Sequence, residues 1–289
     1  MDFGIGIASA SDSWKTAQRA EELGFTHAWF YDTQMITADP FVAMAAAAVK
    51  TSKIRLGTGV LVPSNRIAPA AANAFASLNK LAPGRIDFGI GTGFTARRAM
   101  GLGAVKLADL ETYIQAVTAL LRGETIDFEI EGKRRLIRLL NPELGLINTT
   151  DPIGLYIAAS GPRARQLTAK LGAGWINTVA GVAGAIADLE RMRQLWLEAG
   201  HDADSTDAIV LAAAPFWSRA SPPTRRAPSH RRARARRCCC TAPPMPHYWA
   251  CRRSRRSRMR SPRPLPAMSS SPASSGRRAR PISKTIAGI

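Results

Sequence analysis

Between Asp2 and Phe216 short β-like runs alternate with helix-like runs, which restricts the chain to folds whose parallel strands are joined by crossover helices. Strands are predicted over 3–7, 27–31, 54–60, 86–90, 155–159, 175–179 and 208–213, seven in all. The helices between them carry their own boundaries. Ser11-Asp12-Ser13 offers capping oxygens ahead of a helix that runs to Glu22-Leu23 and stops at Gly24, and Asp39-Pro40 puts an acceptor just before a proline at the first helical position. A third helix follows Pro69 and ends at Pro83-Gly84, and others are predicted over 107–122, 163–171 and 183–199.

Strand starts lie about 24, 27 and 32 residues apart, which suits a repeated βα unit, whereas the gap from Ile86 to Leu155 is about 69 and must hold something extra. Residues 124–152 are assigned to that insertion: TIDFEIEG and RRLIRLL flank a turn at Gly132-Lys133. The excursion is expected at the carboxyl ends of the strands, where it would shape a substrate pocket. A closed barrel and an open doubly wound sheet both accept repeated βα units, but a dinucleotide fingerprint should put glycines in the first turn. Here Gly4-Ile5-Gly6-Ile7-Ala8 puts them inside the first strand. The predicted fold class is therefore α/β, a (β/α)8 TIM-type barrel over residues 1–217, incomplete with its seven readable strands and followed by a disordered basic tail over 218–289.

In such a barrel the polar residues just past each strand line the site. They are Ser9, Asp32-Thr33-Gln34, Ser64-Asn65-Arg66, Thr92, Ser160 and Asn177-Thr178. His27 begins a strand, His201 lies in a loop, and His230 and His247 fall in the tail, so no cluster has metal-ligand spacing; nor is there a Gly-x-Ser-x-Gly elbow. No metal is assigned, and metal-assisted and serine hydrolysis are not expected. Hydroxyls, amides, glycines and one carboxylate bind and orient but supply few strong acids or bases, which suits a cofactor that carries the reaction itself. Taken singly, each also reads as an ordinary turn residue, and Asp32, the one carboxylate directly after a strand, as a cap of its own turn. Gly89-Ile90-Gly91-Thr92-Gly93 either lets backbone approach a ligand or makes a tight turn.

Ala28-Trp29-Phe30-Tyr31-Asp32-Thr33-Gln34, Asp39-Pro40, Leu56-Gly57-Thr58-Gly59-Val60, Pro83-Gly84-Arg85 with Gly89-Ile90-Gly91-Thr92-Gly93, and Ala158-Ala159-Ser160-Gly161-Pro162 occur in one order and spacing. Together they resemble the bacterial luciferase-like superfamily, and within it the deazaflavin-dependent branch that includes methylenetetrahydromethanopterin reductase, over about residues 2–216. The resemblance implies a (β/α)8 barrel oxidoreductase binding coenzyme F420, or alternatively FMN, at its carboxyl face, with a small organic molecule as substrate. By position, Gly59-Val60 matches a non-proline cis peptide that backs the ring. Thr92 and Gly93, and Ser160 and Gly161, match groups offered to the cofactor's phosphate and side chain; Gly91, Asn177 and Thr178 are counted with them. Ser160-Gly161-Pro162 also opens a helix, whose unsatisfied N–H groups attract phosphate. Relatives often place histidine after the aspartate, and here that position is Thr33. Asp32 and Gln34 are left as the catalytic candidates, orienting a substrate for bare hydride transfer in which proximity is worth roughly 7–11 kcal/mol. An FMN-dependent monooxygenase using oxygen is the alternative within enzymes.

The net charge of +19 sits at one end: residues 1–217 hold 21 basic and 21 acidic residues, and 218–289 hold 19 basic and no acidic ones. Three readings compete for that tail. Its arginine runs, such as Arg231-Arg232 to Arg237 and Arg252 to Arg260, suit non-specific, salt-dependent nucleic-acid binding, which makes a nucleic-acid-associated protein the rival function. A metal module is disfavoured because Cys238-Cys239-Cys240 with Cys251 lacks paired ligand spacing. The third reading, translation in a shifted frame of a GC-rich gene, is favoured by 18 Arg against one Lys and by a length close to the barrel's missing eighth unit. It would leave two sheet edges unpaired and predicts an insoluble or inactive product. The amino terminus lacks the basic start and apolar core of a signal peptide, and no stretch has the roughly 18–20 apolar residues of a membrane span, so a cytoplasmic location without membrane partners is expected. A homodimer is left open. Sequencing the gene around the codon for Trp217 is expected to show a frame change there, and one homogeneous frame would remove the idea.

Overall fold

The computed structural model describes residues 3–179, 182–203, 206 and 208–212. The tail expected over 218–289, with His230, His247 and the cysteines, lies outside the described residues.

The chain opens β1 (Gly4–Ile7), α1 (Trp14–Glu22), β2 (His27–Phe30), α2 (Pro40–Ala48), β3 (Arg55–Thr58), α3 (Ala68–Leu81) and β4 (Ile86–Ile90). It continues α4 (Phe94–Ala99), α5 (Leu107–Leu121), β5 (Ile126–Ile130), β6 (Lys133–Ile137), β7 (Gly154–Ala158), α6 (Pro162–Lys170), β8 (Gly174–Val179), α7 (Val182–Glu198) and β9 (Ala208–Ala212). Seven of the strands form one parallel sheet in the order β1-β2-β3-β4-β7-β8-β9, and its neighbours are those the sequence periodicity predicts. The sheet curls into an incomplete TIM-type barrel; no pairing joins β9 back to β1 among the described residues. Short α4 was not expected. No helix among the described residues is long and apolar enough to cross a membrane.

Local chemistry explains most boundaries. Asp39 caps α2, its carboxylate accepting from Phe41 N at 2.9 Å and Val42 N at 3.3 Å, with Pro40 fitting the first turn. Ser13 does not cap α1: its hydroxyl donates to Ala8 O at 3.0 Å and accepts from Ala10 N at 2.8 Å, tying the helix start to the end of β1. Residues 124–152 do form the expected hairpin, β5 with β6, turning at Glu131 and Gly132, both with positive φ as a two-residue hairpin turn requires. Its place is corrected, however. Crossover helices run antiparallel to the strands, so the segment from the end of α5 to the start of β7 lies at the amino ends of the sheet. Asn148 accordingly meets the last turns of α3, with its backbone N–H on Ala76 O at 2.9 Å and its side chain on Asn79 O at 3.1 Å.

The core has two layers separated by the sheet. Outside, Phe30, Leu56, Ile86, Phe88 and Ile157 meet Met44, Phe75, Ile114 and Leu120 of the helices, and Phe75 stands between Phe41 and Phe88 with ring centroids 5.0 and 4.8 Å away. Inside, Trp29 packs with Tyr156 and Ile176. Gly57 allows this, because a Cβ there would overlap the Trp29 ring.

Glu21, at the end of α1, clasps the turn before β3. Its carboxylate accepts from the backbone N–H groups of Ser52, Lys53 and Ile54, the last two at 2.8 Å, and from the Ser52 hydroxyl. Burial pushes the Glu21 pKa up, but these donors prevail and hold it below the ordinary carboxylate range. A depressed folded-state pKa stabilises above the unfolded value of 4.5 and loses that contribution as pH falls through the folded value. Glu21→Gln should therefore cost about 1–2 kcal/mol at pH 7, a deficit that shrinks under acid, as read by urea unfolding at several pH values.

Candidate functional site

The carboxyl ends of the strands bring Asp32, Gln34 and Asn65 together. Asp32 follows β2 and is buried. Its Oδ2 accepts from the backbone N–H of Val62 at 2.9 Å and its Oδ1 from Asn65 Nδ2, also at 2.9 Å. The same Asn65 nitrogen lies 2.8 Å from Gln34 Oε1, and Gln34 Nε2 reaches Ala96 O and the Met100 sulfur, both at 3.2 Å, tying the loop after β2 to α4. Arg66 pairs with Asp39 and lies 4.5 Å from the Phe41 ring centre. Asp32, Gln34, Asp39, Asn65 and Arg66 line a cavity of about 390 Å³ together with Met35 and Met100.

Burial pushes the Asp32 pKa above its ordinary value, against the hydrogen bonds of Val62 and Asn65 and the charge of Arg66; nearby Asp39 adds to the rise. Thr33, the residue after Asp32, gives its backbone carbonyl to Ile36 N and Thr37 N.

The other predicted residues divide into two groups. The Gly59–Val60 peptide is cis, at the position that the family resemblance implies. Beside it Gly91 leaves room for Val60: a Cβ there would come within 2.7 Å of Val60 Cγ2 and 3.3 Å of Ala158 Cβ. Gly59, Val60, Gly91 and Ala158 thus make a bed of small groups above Trp29. Thr92 gives its carbonyl to Val105 N at 2.9 Å, and Gly93, with φ 78°, opens α4. The second group surrounds the start of α6. Ser160 is exposed, no side chain caps the helix, and a Cβ on Gly161 would meet open space. Ser160 Oγ bonds Asn177 Oδ1 at 3.2 Å, Asn177 Nδ2 reaches Asp188 Oδ2 at 3.4 Å, and Asp188 pairs with Arg165 at 3.0 Å. Asn177 therefore supports Ser160 from behind, whereas Thr178 is exposed.

Asn65 and Arg66 were legible as strand-end residues and Asp39 as a helix cap, but not their joint role. Asp188 and Arg165 gave no sequence signal, since both lie inside helices. A larger cavity, about 870 Å³, is lined by α5, the hairpin and the chain entering β7. It opens at the amino ends of the strands, away from these groups.

Residues 6–250 match the family model described as luciferase-like monooxygenase. The chain is 38% identical over 143 residues to the F420-dependent glucose-6-phosphate dehydrogenase of Beutenbergia cavernae, covering 47% of this chain and 40% of that protein. It is 33% identical over 193 residues to the F420-dependent hydroxymycolic acid dehydrogenase of Mycobacterium tuberculosis, covering 60% and 52%. Among solved structures, the F420-dependent tetrahydromethanopterin reductase of Methanopyrus kandleri superposes with a TM-score of 0.60 at 22% identity, over 72% of this chain and 65% of that one. The chain spans about half the length of the curated relatives it matches.

A raised folded-state pKa at Asp32 gives stability that is full below the unfolded value and lost as pH rises through the folded one. Asp32→Asn does not titrate there. Its stability relative to the parent should improve as pH rises from the ordinary aspartate value of 3.8, read as diverging urea midpoints; a gap that stays constant would contradict the assignment.

Proposed function

The chain belongs to the luciferase-like monooxygenase family, and from that premise we propose that it is an oxidoreductase using F420 to move hydride to or from a small organic molecule. The observation that carries this reading is the pairing of two features at the strand ends. One is a shallow bed of small groups, Gly59, Val60, Gly91 and Ala158; the other is an uncapped helix start at Ser160-Gly161 with open space before it. The bed suits a flat ring, and the helix start suits a phosphate. F420-dependent relatives at 38% and 33% identity support the choice of cofactor.

The residues present fit that group. Gly59, Val60 and Gly91 would back its ring, Ser160 and Gly161 would hold its phosphate, and Thr92, Gly93 and Thr178 would contact the rest, with Asn177 bracing Ser160. F420, when bound, supplies or takes up the hydride. The chain's own part is to orient: Asp32 accepts a hydrogen bond from a substrate hydroxyl through a lone pair not used by Val62 or Asn65, and Gln34 Oε1, with one lone pair left beside the Asn65 bond, accepts a second. Burial of Asp32 strengthens its contact.

Binding can be read directly on the full chain purified in soluble form. Titrating F420 should quench its fluorescence with saturation, and Gly91→Leu, which pushes a side chain into Val60, should weaken binding at least about tenfold. Saturable binding of FMN but not F420 would instead favour the oxygen-using alternative. Binding of neither, with salt-sensitive DNA retention that disappears on deleting 218–289, would favour the nucleic-acid reading.

A further inference from the structure

We propose that Asn65 is a positioning residue of this site, a single amide that holds the Asp32 carboxylate and the Gln34 carboxamide as one unit. The inference deepens the oxidoreductase reading and rests on it for what is being positioned. Its ground is that one nitrogen serves both partners: Asn65 Nδ2 lies 2.9 Å from Asp32 Oδ1 and 2.8 Å from Gln34 Oε1. An amide NH2 carries two hydrogens, so each acceptor receives one.

The anchor is fixed independently. Asn65 ends the short 3-10 turn Pro63–Asn65 after β3, and its backbone N–H bonds Val62 O at 3.0 Å. Val62 N, at the head of that turn, holds the other oxygen of Asp32. Both carboxylate oxygens are therefore gripped from one turn, which fixes the plane of the carboxylate. Gln34 is fixed in consequence. With Oε1 committed to Asn65, its Nε2 must face Ala96 O and Met100, and the amide cannot rotate by half a turn without losing these contacts.

The other groups facing Asp32 act differently. Arg66, the next residue after Asn65, is engaged by Asp39 at the head of α2. Tyr113 of α5 presents a buried hydroxyl with no hydrogen-bond partner among the described residues, and burial pushes its pKa up. Neither supplies what Asn65 does, one NH2 group whose two hydrogens reach the carboxylate and the carboxamide.

The test uses the cofactor-free full chain, with carboxyl-13C aspartate and side-chain 15N glutamine observed by NMR. Asp32 is identified by the signal lost in Asp32→Asn, and Gln34 by that lost in Gln34→Ala. In the parent, the Gln34 amide signals should follow the Asp32 titration. In Asn65→Leu the Asp32 midpoint should rise by about one pH unit, a tenfold gain in proton affinity, and the Gln34 signals should no longer follow it. Asn65→Ser, which keeps one donor, should raise the midpoint less while still uncoupling Gln34, and it decides the matter should Asn65→Leu fail to fold. An unchanged Asp32 midpoint, or Gln34 signals that still track it in these variants, would overturn the proposal. With no cofactor in the sample, failure of F420 binding would sink the functional reading and leave this result standing.

Discussion

The site depends on how Trp29 fills the inner side of the curled sheet. Its ring lies over Gly57, stands edge-on to Tyr156 at 5.2 Å and lies parallel to His27 at 5.9 Å. A parallel barrel stays closed to water only if inward side chains fill it in layers. Here one large ring from β2 does much of that work because β1 and β3 present glycine beneath it. The plug also sets a floor: beside it the strands carry the small groups Gly59, Val60, Gly91 and Ala158. The indole Nε1 is buried and has no hydrogen-bond partner among the described residues, so volume and shape are what this position contributes there.

Two buried aspartates show how the same sheet treats charge in opposite ways. Asp87, at the amino-terminal end of β4, is gripped by Arg55 through two short contacts of 2.9 and 2.6 Å. Such a pair neutralises itself and offers no free chemistry. Asp32, at the other end of the sheet, receives only neutral N–H donors, so its charge is held in place without being cancelled. A carboxylate in that state can still accept a hydrogen from a ligand, and burial makes its protonation sensitive to the loss of any donor.

Chain direction explains why a capacious cavity carries no argument about the reaction. Each helix returns the chain to the amino ends of the strands, so the hairpin between α5 and β7 and the space beneath it gather there. The strand-end groups are delivered to the opposite face by the short loops after β2, β3, β4 and β7. The insertion was visible in the spacing of the strands, but its side of the sheet follows from counting helices, a step that an analogy with other barrels obscured.

The sequence by itself determined the seven parallel strands, their order and the helices between them other than α4, because apolar periodicity and capping residues such as Asp39 and Pro40 act within a few residues of one another. It also marked Asp32, Gln34, Ser160 and Gly161 as strand-end residues. Only the tertiary structure decided that Asn65 joins Asp32 to Gln34, that Asn177 leans on Asp188 behind Ser160, and that Gly57 stands empty for Trp29. These relations link residues 11 to 33 positions apart through side-chain direction, and no local pattern encodes which of two neighbouring amides will turn toward a carboxylate on another strand.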